Sequence, residues 1–175
     1  MVLFLLVGMF LIVLQTSVLQ ALPAWFGFPD FVFILVAFVA FRFDWLRGFL
    51  LSFAFGWMMD VVSVIYLGIF VVKYLAVFFI LKLFTQNSPV KESAYQVPMV
   101  GVSYFLVQLG FYASLTMAAA ELVSPWSWNR MWMETIILMI ATVPCFLIFN
   151  SLYEYMHNRR TIPRAIRKRG GNRFR

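Results

Sequence analysis

The sequence predicts an all-α polytopic membrane protein, with six transmembrane helices in one compact bundle followed by a basic tail. Three observations predict it. Of 175 residues, 63% are hydrophobic and only 12% are charged, whereas a soluble domain carries about half and about a quarter, respectively. One buried core cannot absorb that excess. The apolar residues come in continuous runs rather than in alternation, which favours helical over strand spans. Finally, Lys and Arg fall in clusters that share one membrane face when six runs are threaded through the bilayer.

A helix crossing the hydrocarbon needs about 20 mainly apolar residues. The first span covers residues 2–22 and ends near Pro23. It has no basic n-region and no small-x-small cleavage pattern, so it reads as a retained span rather than a leader. The second, residues 30–42, starts at Pro29-Asp30 and is short. The third, 45–65, and the fourth, 67–84, form a hairpin, and spans at 97–123 and 132–153 complete the set. Residues 1–156 make up the membrane domain, and residues 157–175 the tail. The connections are short, the longest being TQNSPVKESAYQ from Thr85 to Gln96, and no soluble domain fits between spans.

Orientation follows from the cations. Arg42 and Arg47 lie between the second and third spans, Lys82 and Lys91 at the end of the fourth, and eight basic residues in the tail. Six spans bring these 12 of 14 basic residues to the cytoplasmic side, with both termini inside. Lys73 and Arg130 fall towards the outer side. Trp25, Trp126, Trp128 and Trp132 mark the outer interface and Trp45 the inner one. Trp57 is the exception, because it falls inside the third span.

Asp60 and Lys73 stand in an otherwise almost wholly apolar stretch, FGWMMDVVSVIYLGIFVVKY. Counted from a turn at Tyr66-Leu67, they lie at similar depth on antiparallel helices, on the order of 10 Å from the turn. Charges there are costly, and pairing is the natural resolution. The pair is either a structural lock for the hairpin or part of a polar cavity that meets a ligand or a partner's charge. Snorkelling of Lys73 to the interface is a third reading. Gly48, Ser52, Gly56 and Asp60 recur every four positions, a small-residue stripe for close helix approach. Tyr104, Gln108, Tyr112 and Thr116 form a polar row on the fifth span, either interhelical hydrogen bonds or a pocket wall. Arg130 and Glu134 are spaced to pair on one helix, and Pro144 is placed to bend the sixth span.

Several chemistries lack the residues they need. Cys145 is the lone cysteine and reads as an apolar filler. His157, the only histidine, sits beside the basic tail, so a histidine metal cluster is excluded. No Gly-rich phosphate loop, nucleophile motif or paired-acid constellation occurs. No cofactor is expected. The tail has the charge to meet membrane lipids or a cytoplasmic partner. It has no aromatic platform for nucleic acid.

The motifs carry a resemblance. Gln15 and Thr16 close the first span, Pro29-Asp30 opens the second, and GFLLSFAFGWMMDVVSVIYLG follows from Gly48 to Gly68. This order, with Gly56, Asp60, Ser63 and Tyr74, resembles the bacterial rod shape-determining protein MreD family. The resemblance covers the first 85 residues best; later it is one of length and hydropathy. Lys73 departs from the pattern, standing where a small or apolar residue is expected, and the basic tail is longer than usual. The resemblance implies a non-enzymatic inner-membrane component of the cell-wall elongation machinery. Its partners would be the bitopic protein MreC, the actin-like MreB and peptidoglycan synthases. The implied fold is similar to the substrate-binding subunits of energy-coupling-factor transporters. The alternative function is therefore small-molecule capture by such a subunit. Those subunits usually dock through an Ala-x-x-x-Ala face on the first helix, and here no alanine precedes Ala21.

Overall fold

A computed structural model of the chain describes residues 2–17, 30–63, 68–87, 93–118 and 127–168. Six helices account for nearly all of them: α1 Val2–Ser17, α2 Phe31–Arg42, α3 Trp45–Ser63, α4 Ile69–Asn87, α5 Ser93–Ala118 and α6 Trp128–Lys168. Among the described residues there is no strand. Each expected span overlaps one helix; most ends differ by a few residues, but α6 continues fifteen residues past the expected end at 153, to Lys168. Pro29, Trp25 and Trp126 lie outside the described residues. α6 runs unbroken through Pro144 and past residue 157, so the junction between bundle and tail is not a break in the backbone. Two helical stretches, Trp45–Ser63 and Trp128–Tyr155, are long and apolar enough to cross a membrane; Leu3–Ser17 and Phe31–Arg42 are apolar but shorter.

The bundle is built around α2. Its sequence, FVFILVAFVAFR, is apolar on every side, and Val32 to Ala40 are all buried. A helix without a polar face has to be enclosed, and α1, α3, α4 and α6 pack around this one. Phe38 of α2 stacks on Phe4 of α1 with ring centroids 5.9 Å apart, and meets Phe146 and Phe149 of α6, each at 5.6 Å. Phe33 meets Tyr104 of α5 edge-on at 5.1 Å. These aromatic contacts add specific geometry to the apolar burial.

The most extensive helix packing is that of α3 against α4. Gly48, Ser52 and Gly56 make the approach. A Cβ on Gly48 would collide with the Phe78 ring, and one on Gly56 would stand 2.5 Å from Val71 Cα and 2.9 Å from its N. Ser52 is wholly buried and turns its hydroxyl inward, donating to Gly48 O at 2.9 Å. Between α1 and α3, Gly8 makes room for the Phe55 ring.

The outward faces are strongly apolar. Leu6, Phe10 and Val13 on α1, Leu46, Leu50, Trp57 and Val61 on α3, and Ile140, Leu147 and Ile148 on α6 are all exposed. Contiguous apolar surface on this scale marks contact with a membrane or another protein.

Candidate functional site: a charged cluster that closes the helix ends

The first helix turn leaves backbone N–H groups without intrahelical acceptors, and the last turn leaves carbonyls without donors. Inside an apolar bundle each such group needs a partner. Charged residues of this chain supply such partners at both ends of α2 and at the start of α4.

Asp30 is the N-cap of α2, and its Oδ1 accepts from Phe33 N at 3.0 Å. The same carboxylate collects donors from two other helices. Lys73 Nζ of α4 lies 3.0 Å from Oδ2. The Tyr74 hydroxyl donates across both oxygens, at 3.1 and 3.2 Å. Gln15 Nε2 of α1 reaches Oδ1 at 3.4 Å. Tyr74 is completely buried, and the side chains of Asp30 and Lys73 are 9% and 11% exposed. The rings of Phe70, Tyr74 and Tyr104 surround the Lys73 ammonium at 5.8–5.9 Å. Such faces favour a cation most where water is excluded.

Asp60 closes the start of α4 from a neighbouring helix. Its carboxylate accepts from Gly68 N at 3.0 Å, Phe70 N at 2.9 Å and Val71 N at 3.3 Å. The negative charge also sits at the positive end of the α4 dipole. Two glycines permit this. Gly56, one turn before Asp60, lets the α4 backbone come up against α3, and Gly68 takes φ +100° at the entry to α4, a conformation that L side chains resist.

The expected ion pair between Asp60 and Lys73 is therefore not formed. The depth estimate makes the two level, but level groups need not face each other. Asp60 faces the opening turn of α4, whose N–H groups occupy its carboxylate. Lys73 lies one turn further along and extends across to α2. Nor does Lys73 snorkel to an interface, since it is held among rings and a carboxylate.

The opposite end of α2 is closed in the reverse sense. Lys82 Nζ donates to Ala40 O at 3.2 Å and Phe43 O at 2.6 Å. Read in the sequence only as an orientation charge, Lys82 caps the α2 C-terminus, where the dipole favours a cation. Arg42 donates to Asn150 of α6 and lies over the Tyr153 ring at 5.8 Å.

On the α5–α6 side, Arg130 Nε donates to Glu134 Oε1 at 2.9 Å, and the Tyr104 hydroxyl points to Glu134 Oε2 at 3.5 Å. Of the α5 polar row, Tyr104 joins this cluster. Gln108 and Tyr112 lie one and two turns beyond it, half-buried. Thr116 turns its hydroxyl back to Tyr112 O and Ala113 O, and Thr16 does the same with Ile12 O and Val13 O. Ser63 ends α3 and is half-buried. Cys145 is a free, half-buried thiol.

This arrangement holds four helices through α2 and α4. Among the described residues, no three His, Cys, Asp or Glu side chains are grouped to hold a metal ion. Comparisons with protein-family models, curated proteins and solved structures found no significant match.

Proposed function

We propose that this chain is a six-span inner-membrane scaffold of the bacterial cell-wall elongation machinery, of the kind the resemblance to the MreD family implies. One observation carries the reading. Several of the residues behind that resemblance are scattered over α1 to α4, yet they meet in two clusters, one at the start of α2 and one at the start of α4. Gln15 and Tyr74 bind Asp30, Gly68 binds Asp60, and Gly56 admits the turn that Asp60 caps. A motif whose members bind one another has a joint structural task, and the task here is to fix helix ends.

Six spans fit the same geometry. At about 1.5 Å per residue, α2 measures about 18 Å, short of a hydrocarbon layer of about 30 Å. A half-length helix is tolerated at membrane depth where protein surrounds it and its end groups are satisfied. α2 has both conditions, through its fully buried middle and through Asp30 and Lys82 at its ends. The clustering of 12 of 14 basic residues on one side orients the bundle with both termini in the cytoplasm.

In this role the protein does no bond chemistry. Its rigid bundle positions membrane partners, namely an MreC-like bitopic protein and, directly or through it, an MreB-like filament and the peptidoglycan synthases. Depletion should turn rod-shaped cells round, and the bitopic protein should co-purify with this chain in mild detergent. Rod shape maintained on depletion, together with no co-purification, would overturn the proposal. Fusions after Arg175 test the topology: a cytoplasmic reporter should be active and a periplasmic one silent.

A further inference from the structure

Trp57 is out of place for an interfacial anchor. It is 58% exposed and lies in α3, six residues before the helix ends at Ser63, so its Cα is about 9 Å inside the outer end. The Cα–Cβ bonds of a helix tilt towards its N-terminus, which for α3 is the cytoplasmic end. The indole is thus carried deeper still, away from the outer headgroups. Trp is enriched at interfaces because its N–H needs a polar partner there. Among the described residues, none accepts a hydrogen bond from this indole, which lies beside the Phe53 ring at 6.0 Å.

From this we infer that the outward face of α3, made by Leu46, Leu50, Phe53, Trp57 and Val61, is the docking surface for one transmembrane helix of a different protein. That helix carries a hydrogen-bond acceptor at the depth of Trp57, such as a Ser, Thr, Asn or Gln side chain. The inference rests on the membrane-scaffold reading and names the surface through which it acts. Donor–acceptor complementarity selects the occupant. Lipid tails offer no acceptor. A second copy of this chain, docked symmetrically, presents the same five side chains, whose single polar group is a donor, so both indoles would stay unsatisfied. A foreign helix with an acceptor satisfies the N–H while covering the apolar face. The deeper parts of the neighbouring faces lack this signature: the exposed side chains Leu6, Phe10 and Val13 on α1, and Ile140 and Leu147 on α6, are purely apolar, and the exposed Trp132 of α6 lies only four residues from the start of its helix at Trp128, at the outer end.

The test is photocrosslinking of the full chain in its native membrane. A benzophenone amino acid is placed at position 57, at position 53 and, as a control, at Ile140. The expected result is an adduct with a single-span protein from 57 and 53 and none from 140. If that protein is the MreC-like partner, the surface and the scaffold reading both stand. If it is an unrelated single-span protein, the surface stands and the scaffold reading falls. Chain-to-chain adducts, or phospholipid adducts alone, overturn the inference. A second measurement isolates the hydrogen bond. Trp57→Phe keeps the ring and removes the N–H, and it should lower recovery of the crosslinked partner roughly threefold, the usual size of an interhelical hydrogen bond in a membrane. Leu50→Ala at the same face should also lower recovery, and Leu147→Ala should not. Recovery unchanged in both Trp57→Phe and Leu50→Ala contradicts the inference.

Discussion

The Lys73 ammonium sits 3.0 Å from Asp30, on another helix, and not on Asp60. This pairing ties α4 to the start of α2. Asp30 serves at once as the cap of α2, the counter-ion of Lys73 and the acceptor of the Tyr74 hydroxyl. Two neighbouring acids thus hold separate posts, one at the start of α2 and one at the start of α4.

A double-mutant cycle should separate those posts. Lys73→Met alone leaves Asp30 without its counter-ion, and Asp30→Asn alone leaves a buried ammonium. Breaking a buried pair from one side costs about 3–5 kcal/mol, and removing both charges costs less. Detergent melting should therefore show Asp30→Asn/Lys73→Met to be more stable than either single variant. Asn retains the capping oxygen for Phe33. The Asp60→Asn and Lys73→Met effects should add, because those side chains share no bond.

Asp60→Ala should destabilise the α3–α4 hairpin by about 3 kcal/mol, since three backbone N–H groups lose a charged acceptor. Asp60→Asn should recover part of this, as one amide oxygen can still accept. Hydrogen exchange at Phe70 and Val71 is the direct readout. Unchanged protection there in Asp60→Ala would contradict the capping role.

Much of this was legible in the sequence. Continuous apolar runs and their punctuation give six helices, and the four-residue stripe on the third marks its close approach to the fourth. The partner of Lys73 was not legible from depth alone, because helical register, and not level, decides which side chains face each other. A signal was nevertheless present. The six-span reading of the sequence puts Asp30, Asp60 and Lys73 at the same side, and Asp30 opens a helix with no polar face. Such a cap is buried and needs a countercharge. Lys82 was harder to read. Its position at the end of a span is equally suited to a solvated charge, and only the fold shows the α2 carbonyls beneath it.

Glycine substitutions should divide sharply. Gly56→Ala puts a methyl into the Val71 backbone, which cannot turn aside. It should cost about 2–3 kcal/mol, the upper part of the range typical of overpacking. Gly110→Ala meets nothing within 4 Å and should gain a few tenths of a kcal/mol or stay neutral. Melting of the two purified variants in one detergent checks this ordering.

At the other end of α2, Lys82→Met should cost about 1–2 kcal/mol by uncovering the carbonyls of Ala40 and Phe43. Lys82→Arg should recover most of it, because a guanidinium still donates. Equal loss in both variants would mean that side-chain packing, and not the capping bonds, sets the effect.

The charges within this apolar bundle hold helix ends, and on the scaffold reading proposed above that is their whole task. The most direct test is the Asp30→Asn/Lys73→Met variant expressed as the sole copy in cells that depend on the protein. If the proposed scaffold role holds, cells carrying the variant should be rod-shaped and should yield the proposed bitopic partner normally wherever the variant accumulates and melts close to the parent. A variant that accumulates, melts normally and binds its partner, yet leaves the cells round, would contradict it.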